Sequence, residues 1–492
     1  MKRLALLLPL LVLAAAPARA EDPATNAPVV EIEGPISVFP PKPKEIQEVV
    51  VVHGRGLRSP RSRSPGEQTK ALARWGANAS SPAVLRALRW LKTQQLDDGS
   101  WPGNPVASTA LALWTYLDHG DLPGGDAEFG PTVEHAVRFL AEDVDPESGL
   151  FRSAHGEPFA QPLGIFAFAL YVKETSNPVA REAAAAASRP LFAGQRPDGA
   201  WNADPFDPSP DGLRNLRSTV WCALALRGAL QRGFDFGPSE EDAVRRAFGA
   251  VASFLDPATG AARRPDGTAD PATAAAAFAL DEFDRDDPIA KKAVAFLAPC
   301  TVFWTAWEGP QPWTAGDAPV RDWFFVTCAK YGTNPDFPSW NKCFLPEFLK
   351  RQTIVKAAES GYEDAEGTPR DIAWWDSPSA EERGVGSGGS VLPCKRWRGG
   401  ESVDGETTLG DRVRDTCLCA LALMVYYSNP PAASHFEEEV ALLRPEKTDD
   451  IPVSVHRKPE LKGSDIRVIR KPHPATPASH AESADGAKEP AP

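Results

Sequence analysis

Nowhere in the chain do two cysteines stand as Cys-x-x-Cys, which excludes the common redox motif and the zinc knuckle built on it. The seven that occur, Cys222, Cys300, Cys328, Cys343, Cys394, Cys417 and Cys419, are odd in number, so at least one stays unpaired even where the surroundings oxidise thiols. Cys417 and Cys419 are two residues apart and point to different faces of a helix, so they do not share one metal easily. Positive charge is also short: the formal net charge is −13, which argues against nucleic acid or anionic lipid as a partner. The basic stretch from Arg55 to Arg63 lies among serine and proline and reads as a flexible arm. Long apolar runs are missing as well. The longest, Leu4 to Ala16, falls short of the roughly 20 residues a spanning helix needs, so no integral membrane segment is expected.

That short run has a different meaning. Lys2-Arg3 precedes it and Ala18-Arg19-Ala20 follows, the order of a secretory signal. Cleavage after Ala20 and export, to the periplasm or beyond the cell, are expected. Loss of Lys2, Arg3 and Arg19 takes the charge from −13 to −16.

A four-residue signature then recurs five times: Ala110-Leu-Ala-Leu113, Ala167-Phe-Ala-Leu170, Ala223-Leu-Ala-Leu226, Ala277-Phe-Ala-Leu280 and Ala420-Leu-Ala-Leu423. Its first four copies lie 57, 56 and 54 residues apart, a period that marks an array of units none of which buries its apolar face alone. Residues 21–80 and 431–492, rich in proline and polar residues, read as linker-like or disordered arms. The folded body is residues 81–430.

Each unit pairs an amphipathic helix, which belongs outside, with an apolar one, which belongs inside. In the first, Pro82 to Gln95 carries Val84, Leu85, Leu88, Trp90 and Leu91 at helical spacing, Asp97-Asp-Gly-Ser-Trp101 turns, and Ala107 to Leu117 is apolar almost throughout. Trp101, Phe151 and Trp201 follow one another at 50-residue steps after such turns. In the fourth unit the turn is assigned to Asp266-Gly267, with Thr268 in place of the aromatic. Val-Arg-Asp, at Val320–Asp322 and Val413–Asp415, opens the inner helices of units five and six, and an insertion at about 353–410 delays the sixth. Six such pairs close into an all-α (α/α)6 toroid, and closure removes the exposed ends an open array must cap.

Leu88-Arg-Trp-Leu-Lys-Thr-Gln-Gln-Leu-Asp-Asp-Gly-Ser-Trp101 resembles the Gln…Gly-x-Trp repeat of squalene and terpene cyclases and of protein prenyltransferase β subunits. Gln195-Arg-Pro-Asp-Gly-Ala-Trp201 is similar to a second copy and Gly149-Leu-Phe151 to a degenerate one, and the chain most resembles exported bacterial members of unestablished activity. The resemblance implies the same toroid, with a central cavity opening where outer helices turn into inner ones. It also implies two chemistries to test. The cyclases start from a buried carboxylic acid in Asp-x-Asp-Asp, and Asp284-Arg-Asp-Asp287 has that form, but it falls in an inner-to-outer loop before Pro288, where capping accounts for it. The prenyltransferases hold zinc through Asp-x-Cys and a histidine. Asp415-Thr-Cys417 has the spacing, Asp322-Trp-Phe324 lacks the thiol, and of eight histidines only His155 lies in a cavity-side turn, so no metal and no other cofactor is expected.

The candidates that remain are Asp322, Asp415, Arg321 and Arg414, with Arg412 beside them, at neighbouring inner-helix starts, the two aspartates in N-cap positions. Some polysaccharide lyases set arginines at such a rim. Trp114, Phe166, Phe168, Trp221, Phe278, Trp323, Phe324 and Phe325 line the expected cavity. A thioester is excluded, because Ser64-Pro-Gly-Glu-Gln68 has proline where the cysteine belongs. The leading expectation is an exported toroid that binds an apolar ligand or a protein partner without the family catalysis. The alternative is an enzyme, acting on an isoprenoid or a polysaccharide, with its site on the cavity rim.

Overall fold

The structure is a computed structural model that describes residues 65–427 apart from 126, 232–233, 235, 265–266, 285, 303, 305–318, 332–335, 377–395, 399–400 and 404–407. All of these belong to one compact unit, Ser37–Lys447; the other unit, Met1–Ile36 with Thr448–Pro492, lies outside the described residues, as does the expected signal segment.

The outer helices are α2 (Ser80–Thr93), α4 (Gly130–Asp143), α6 (Pro178–Gly194), α8 (Pro238–Ser253), α10 (Pro288–Phe296) and α12 (Phe337–Lys350). Between them in sequence run the inner helices α3 (Pro105–His119), α5 (Ala160–Thr175), α7 (Leu216–Leu230), α9 (Ala272–Phe283), α11 (Pro319–Lys330) and α14 (Leu409–Leu423). The division follows composition. Every residue of α5 from Ala160 to Val172 is buried, whereas α6 buries only the face of Ala180, Ala184, Ala187, Ser188, Leu191 and Gly194. Each inner helix packs on the next, α3 on α5, α5 on α7, α7 on α9, α9 on α11, α11 on α14, and α14 back on α3. The ring is closed, so the fold is the (α/α)6 toroid.

The turns repeat more strictly than the sequence suggests. The backbone N–H of Trp101 donates to Thr109 Oγ1 (3.2 Å), that of Trp201 to Thr219 (3.0 Å), that of Ala262 to Thr273 (3.0 Å) and that of Trp375 to Thr416 (3.1 Å), while Phe151 N–H donates to Gln161 Oε1 (3.2 Å). Two assignments are corrected by this phase. In unit four the aromatic's place is taken by Ala262 after Gly260, which abuts the backbone of α10; Gly267 belongs to a second turn. In unit six the repeat aromatic is Trp375, displaced by a hairpin of β1 (Thr353–Val355) and β2 (Ile372–Trp374) that carries the short helix α13 (Ala357–Ser360). A further hairpin, β3 (Arg396–Arg398) with β4 (Glu401–Val403), precedes α14. Relative to the acceptor, Ala223, Ala277 and Ala420 stand four residues on, Ala110 only one and Ala167 six, so the signature drifts along the helices although the turns do not.

Glutamines tie the outer layer together. Gln95 Nε2 donates to Gly99 and Thr132 carbonyls, both at 3.0 Å, and Gln195 Nε2 to Gly199 and Ala243 carbonyls, both at 2.9 Å. Gln352 Nε2 reaches Ala83 O of α2 at 2.8 Å and its Oε1 accepts from Arg86, which joins unit six to unit one. The region assigned to an arm is partly structured: α1 (Pro65–Arg74) buries Ala71 and Leu72 and packs on the 3-10 turn Met424–Tyr427 that ends α14. Among the described residues no helix is long and apolar enough to cross a membrane.

Candidate functional site at the inner-helix mouth

Alternation of outer and inner helices brings all six inner-helix N-termini to one end of the ring. The chain enters these helices through polar turns, where Asn104, Asn215 and Thr408 cap with side-chain oxygens. Asp287, from the run that matched the cyclase acid, caps α10 by accepting from Ile289 and Ala290 N–H at 2.6 and 3.3 Å, as its place before Pro288 required.

Asp322 and Asp415 are not N-caps, contrary to expectation. Asp322 is the fourth residue of α11 and Asp415 the seventh of α14, whose cap is Thr408 in a reciprocal pair with Asp411. Helix α14 starts two turns before Asp415 because Thr408-x-x-Asp411 forms a capping box that sequence inspection overlooked. Both aspartates are buried: Asp322 is 2% exposed and Asp415 fully enclosed. Arg414 donates through Nε to Asp415 Oδ1 at 2.9 Å and through Nη1 to Asp411 Oδ1 at 2.8 Å. Burial alone would lower the Arg414 pKa, but the two carboxylates outweigh it and hold the guanidinium charged more firmly than usual. Burial would likewise raise Asp411, yet Arg414 and the Thr408 hydrogen bonds keep it below the ordinary carboxylate range. Arg412 Nε meets Asp376 at 2.7 Å with its guanidinium over the Trp374 ring. This side of the mouth is satisfied.

The neighbouring wall, at the start of α11, is not. Neither carboxylate oxygen of Asp322 has a hydrogen-bond partner among the described residues. Its nearest cations are Arg217 Nη1 at 3.6 Å and Arg321 Nε at 3.8 Å, close enough for attraction and too far for a hydrogen bond. Arg217 also lies 3.7 Å from Asp270, in the turn leading to α9. Arg217, Asp270 and the Glu157 described below were not among the sequence candidates. A signal for the first existed: Leu216-Arg-Ser218 is Val-Arg-Asp with two conservative changes, at the start of α7. Asp270 and Glu157 sit in turns with no motif, and only the ring brings them near.

One helical turn below, aromatic rings meet across the centre. Trp114 touches Phe166 (4.7 Å between centroids), Trp221 (6.5 Å) and Phe324 (5.5 Å), and Phe325 touches Trp221 (5.5 Å) and Phe278 (5.9 Å). Spacing of four residues puts Arg217 above Trp221 and Arg321 above Phe325. Two rings expected here point elsewhere: Trp323 packs against Trp304 (5.2 Å) and Phe348 (6.2 Å) toward α12, and Phe168 stacks on Phe151. Cys417 is fully buried and its thiol is pushed up to about 12 by that burial, which keeps it protonated rather than a thiolate ligand. Among the described residues no three His, Cys, Asp or Glu gather as a metal site, and none of the six described cysteines is in a disulfide.

No protein-family model matches this chain, and no curated protein matches it in sequence. Among solved structures it is similar to a cellobiose 2-epimerase from Spirochaeta thermophila DSM 6192, at 13% identity and a TM-score of 0.42, covering 73% of this chain and 98% of that one. It is also similar to an unsaturated glucuronyl hydrolase from Bacillus sp. GL1, at 14% identity and a TM-score of 0.24, covering 45% and 83%.

Proposed function

We propose that this toroid binds a neutral, polyhydroxylated ligand of the carbohydrate class at the mouth formed by its inner-helix N-termini, and that it does so outside the cytoplasm, as the Met1–Ala20 segment suggests. The carrying observation is Asp322: a buried carboxylate with both oxygens lacking hydrogen bonds among the described residues. A buried acceptor left unmade costs about 1–3 kcal/mol or more when charged, so its retention points to donors supplied from outside the chain. The surrounding charges select the donor. A cationic ligand meets Arg217 and Arg321 beside Asp322, and an anionic one meets Asp322, Asp270 and Glu157, so an uncharged O–H donor suits the place.

The aromatic layer one turn below disfavours the apolar ligand expected first: Trp114, Trp221, Phe278, Phe324 and Phe325 fill the centre with contacts to one another, as a packed core does, which leaves the polar rim above them as the place for a ligand. The likeness to terpene cyclases and prenyltransferases is thereby kept for architecture and set aside for chemistry.

Titration calorimetry with cellotetraose, xylotetraose, mannotetraose and maltotetraose tests this. At least one should bind, and Asp322→Asn should weaken it tenfold or more, the effect of about 1.4 kcal/mol. Equal binding by wild type and Asp322→Asn would sink the assignment.

A further inference from the structure

The mouth holds a second carboxylate with different surroundings. Glu157 lies in the turn leading into α5, and its backbone carbonyl accepts the first helical N–H, from Ala160 (3.1 Å). Its side chain is half-buried, has one hydrogen bond, from Phe159 N–H (3.3 Å), and forms no ion pair among the described residues. Asp322, by contrast, stands between two guanidinium groups. In the ring order α3, α5, α7, α9, α11, α14, helices α5 and α11 are three steps apart in either direction, so the two carboxylates approach the mouth from opposite walls. Arg321, beside Asp322, is the cation whose charge acts on the Glu157 carboxyl.

We infer that Glu157 and Asp322 form an acid and base pair across the mouth and that the protein hydrolyses a glycosidic bond held between them, an inference that rests on the carbohydrate-binding reading above. Two carboxylates whose surroundings differ in this way are suited to different roles. Burial pushes the Glu157 carboxyl above the ordinary carboxylate range, against the smaller opposing effects of Phe159 N–H and Arg321, which suits the acid. Asp322, with Arg217 at 3.6 Å and Arg321 at 3.8 Å and no hydrogen bond to its carboxylate among the described residues, has free acceptor positions and suits the base.

The step balances with water as the co-reactant. A water oxygen bonds to the anomeric carbon while the bond from that carbon to the linking oxygen breaks. The departing oxygen keeps the bonding pair and takes the proton of Glu157; Asp322 takes the proton that the water loses. Two shorter saccharides leave, and both carboxyl groups return to their starting states by proton exchange with solvent. Arg217, held by Asp270 and Asp322 together, is the positioning residue for the base.

The experiment follows binding and cleavage separately, by calorimetry and by mass spectrometry of products, for the four tetrasaccharides and for 4-nitrophenyl glycosides of the one that binds. Wild type should shorten the bound tetrasaccharide. Glu157→Gln should cut that turnover about 10²–10⁴-fold while leaving affinity within about threefold. The same variant should lose far less on the 4-nitrophenyl glycoside, whose leaving group departs without a proton; a merely structural role for Glu157 would slow both alike. Binding without cleavage by the wild type would overturn the hydrolytic inference and leave the binding site standing. Absence of binding by all four would overturn both. Should Glu157→Gln fail to fold, judged by circular dichroism, Glu157→Asp serves instead and should keep measurable but reduced cleavage of the tetrasaccharide.

Discussion

The Gln-Gly-Trp turns and the mouth are built from similar polar residues and treat them in opposite ways. In the turn of unit three, Trp201 donates through Nε1 to Leu191 O (2.9 Å) and through its backbone to Thr219, while Gln195 closes two carbonyls. Gly199, with φ of +85°, fits because a Cβ there would lie 2.4 Å from Arg246 O of α8. At the mouth, the Asp322 carboxylate is as buried and has no hydrogen bond among the described residues. The polar groups of this turn are paired inside the chain, and a buried carboxylate whose two oxygens both lack hydrogen bonds among the described residues marks where something else belongs.

The contrast can be broken in several places. The largest effect should come from alkali. Burial pushes the Cys300 and Cys417 thiols up to about 12, both against an ordinary value of 9.0, and the Tyr171 phenol up to about 12. A group whose folded pKa is raised stabilises fully below its unfolded pKa and loses that contribution as pH climbs through the folded one. Unfolding midpoints in urea should therefore be level up to about pH 9 and fall steeply toward pH 12; a flat profile would refute the burial of these groups.

Next in size is Trp201→Ala, expected to cost about 3–5 kcal/mol by calorimetry or urea titration. Gly199→Ala should cost about 2 kcal/mol, because the left-handed backbone and the Arg246 carbonyl both oppose a methyl group. Gln195→Ala should cost about 1–2 kcal/mol, since the Gly199 and Ala243 carbonyls each lose a donor. Smallest in stability is Asp322→Asn, under about 1.5 kcal/mol, since it breaks no hydrogen bond and leaves the part-exposed Arg217 and Arg321 hydrated. A loss at Asp322 as large as that at Trp201 would mean the carboxylate is structural and would erase the distinction.

Much of the ring was legible beforehand. Apolar helices alternating with amphipathic ones are a consequence of which surfaces must leave water, and Asn104-Pro105, Asn177-Pro178 and Asp287-Pro288 announce helix starts through ordinary capping chemistry. Unit four misled because Asp256…Gly260 and Arg264…Gly267 are both good turns, and only the Thr273 hydroxyl selects the first. Unit six misled because Trp375 is separated from its helix by the β1–β2 hairpin, so distance along the chain hid a residue whose Nε1 donates to Phe348 O as Trp201 does to Leu191.

The sequence by itself determined the six helix pairs, the buried wall and the turn glutamines and tryptophans of units one and three, because periodicity, capping and turn chemistry act over a few residues. Tertiary structure alone decided which aromatics meet in the centre, that Trp323 turns outward, and that Glu157, Arg217, Asp270, Arg321 and Asp322 share one mouth. The physical reason is side-by-side packing of the inner helices. Those five residues span four units of the chain, and they become neighbours only when α5, α7, α9 and α11 pack in sequence around one wall of the ring.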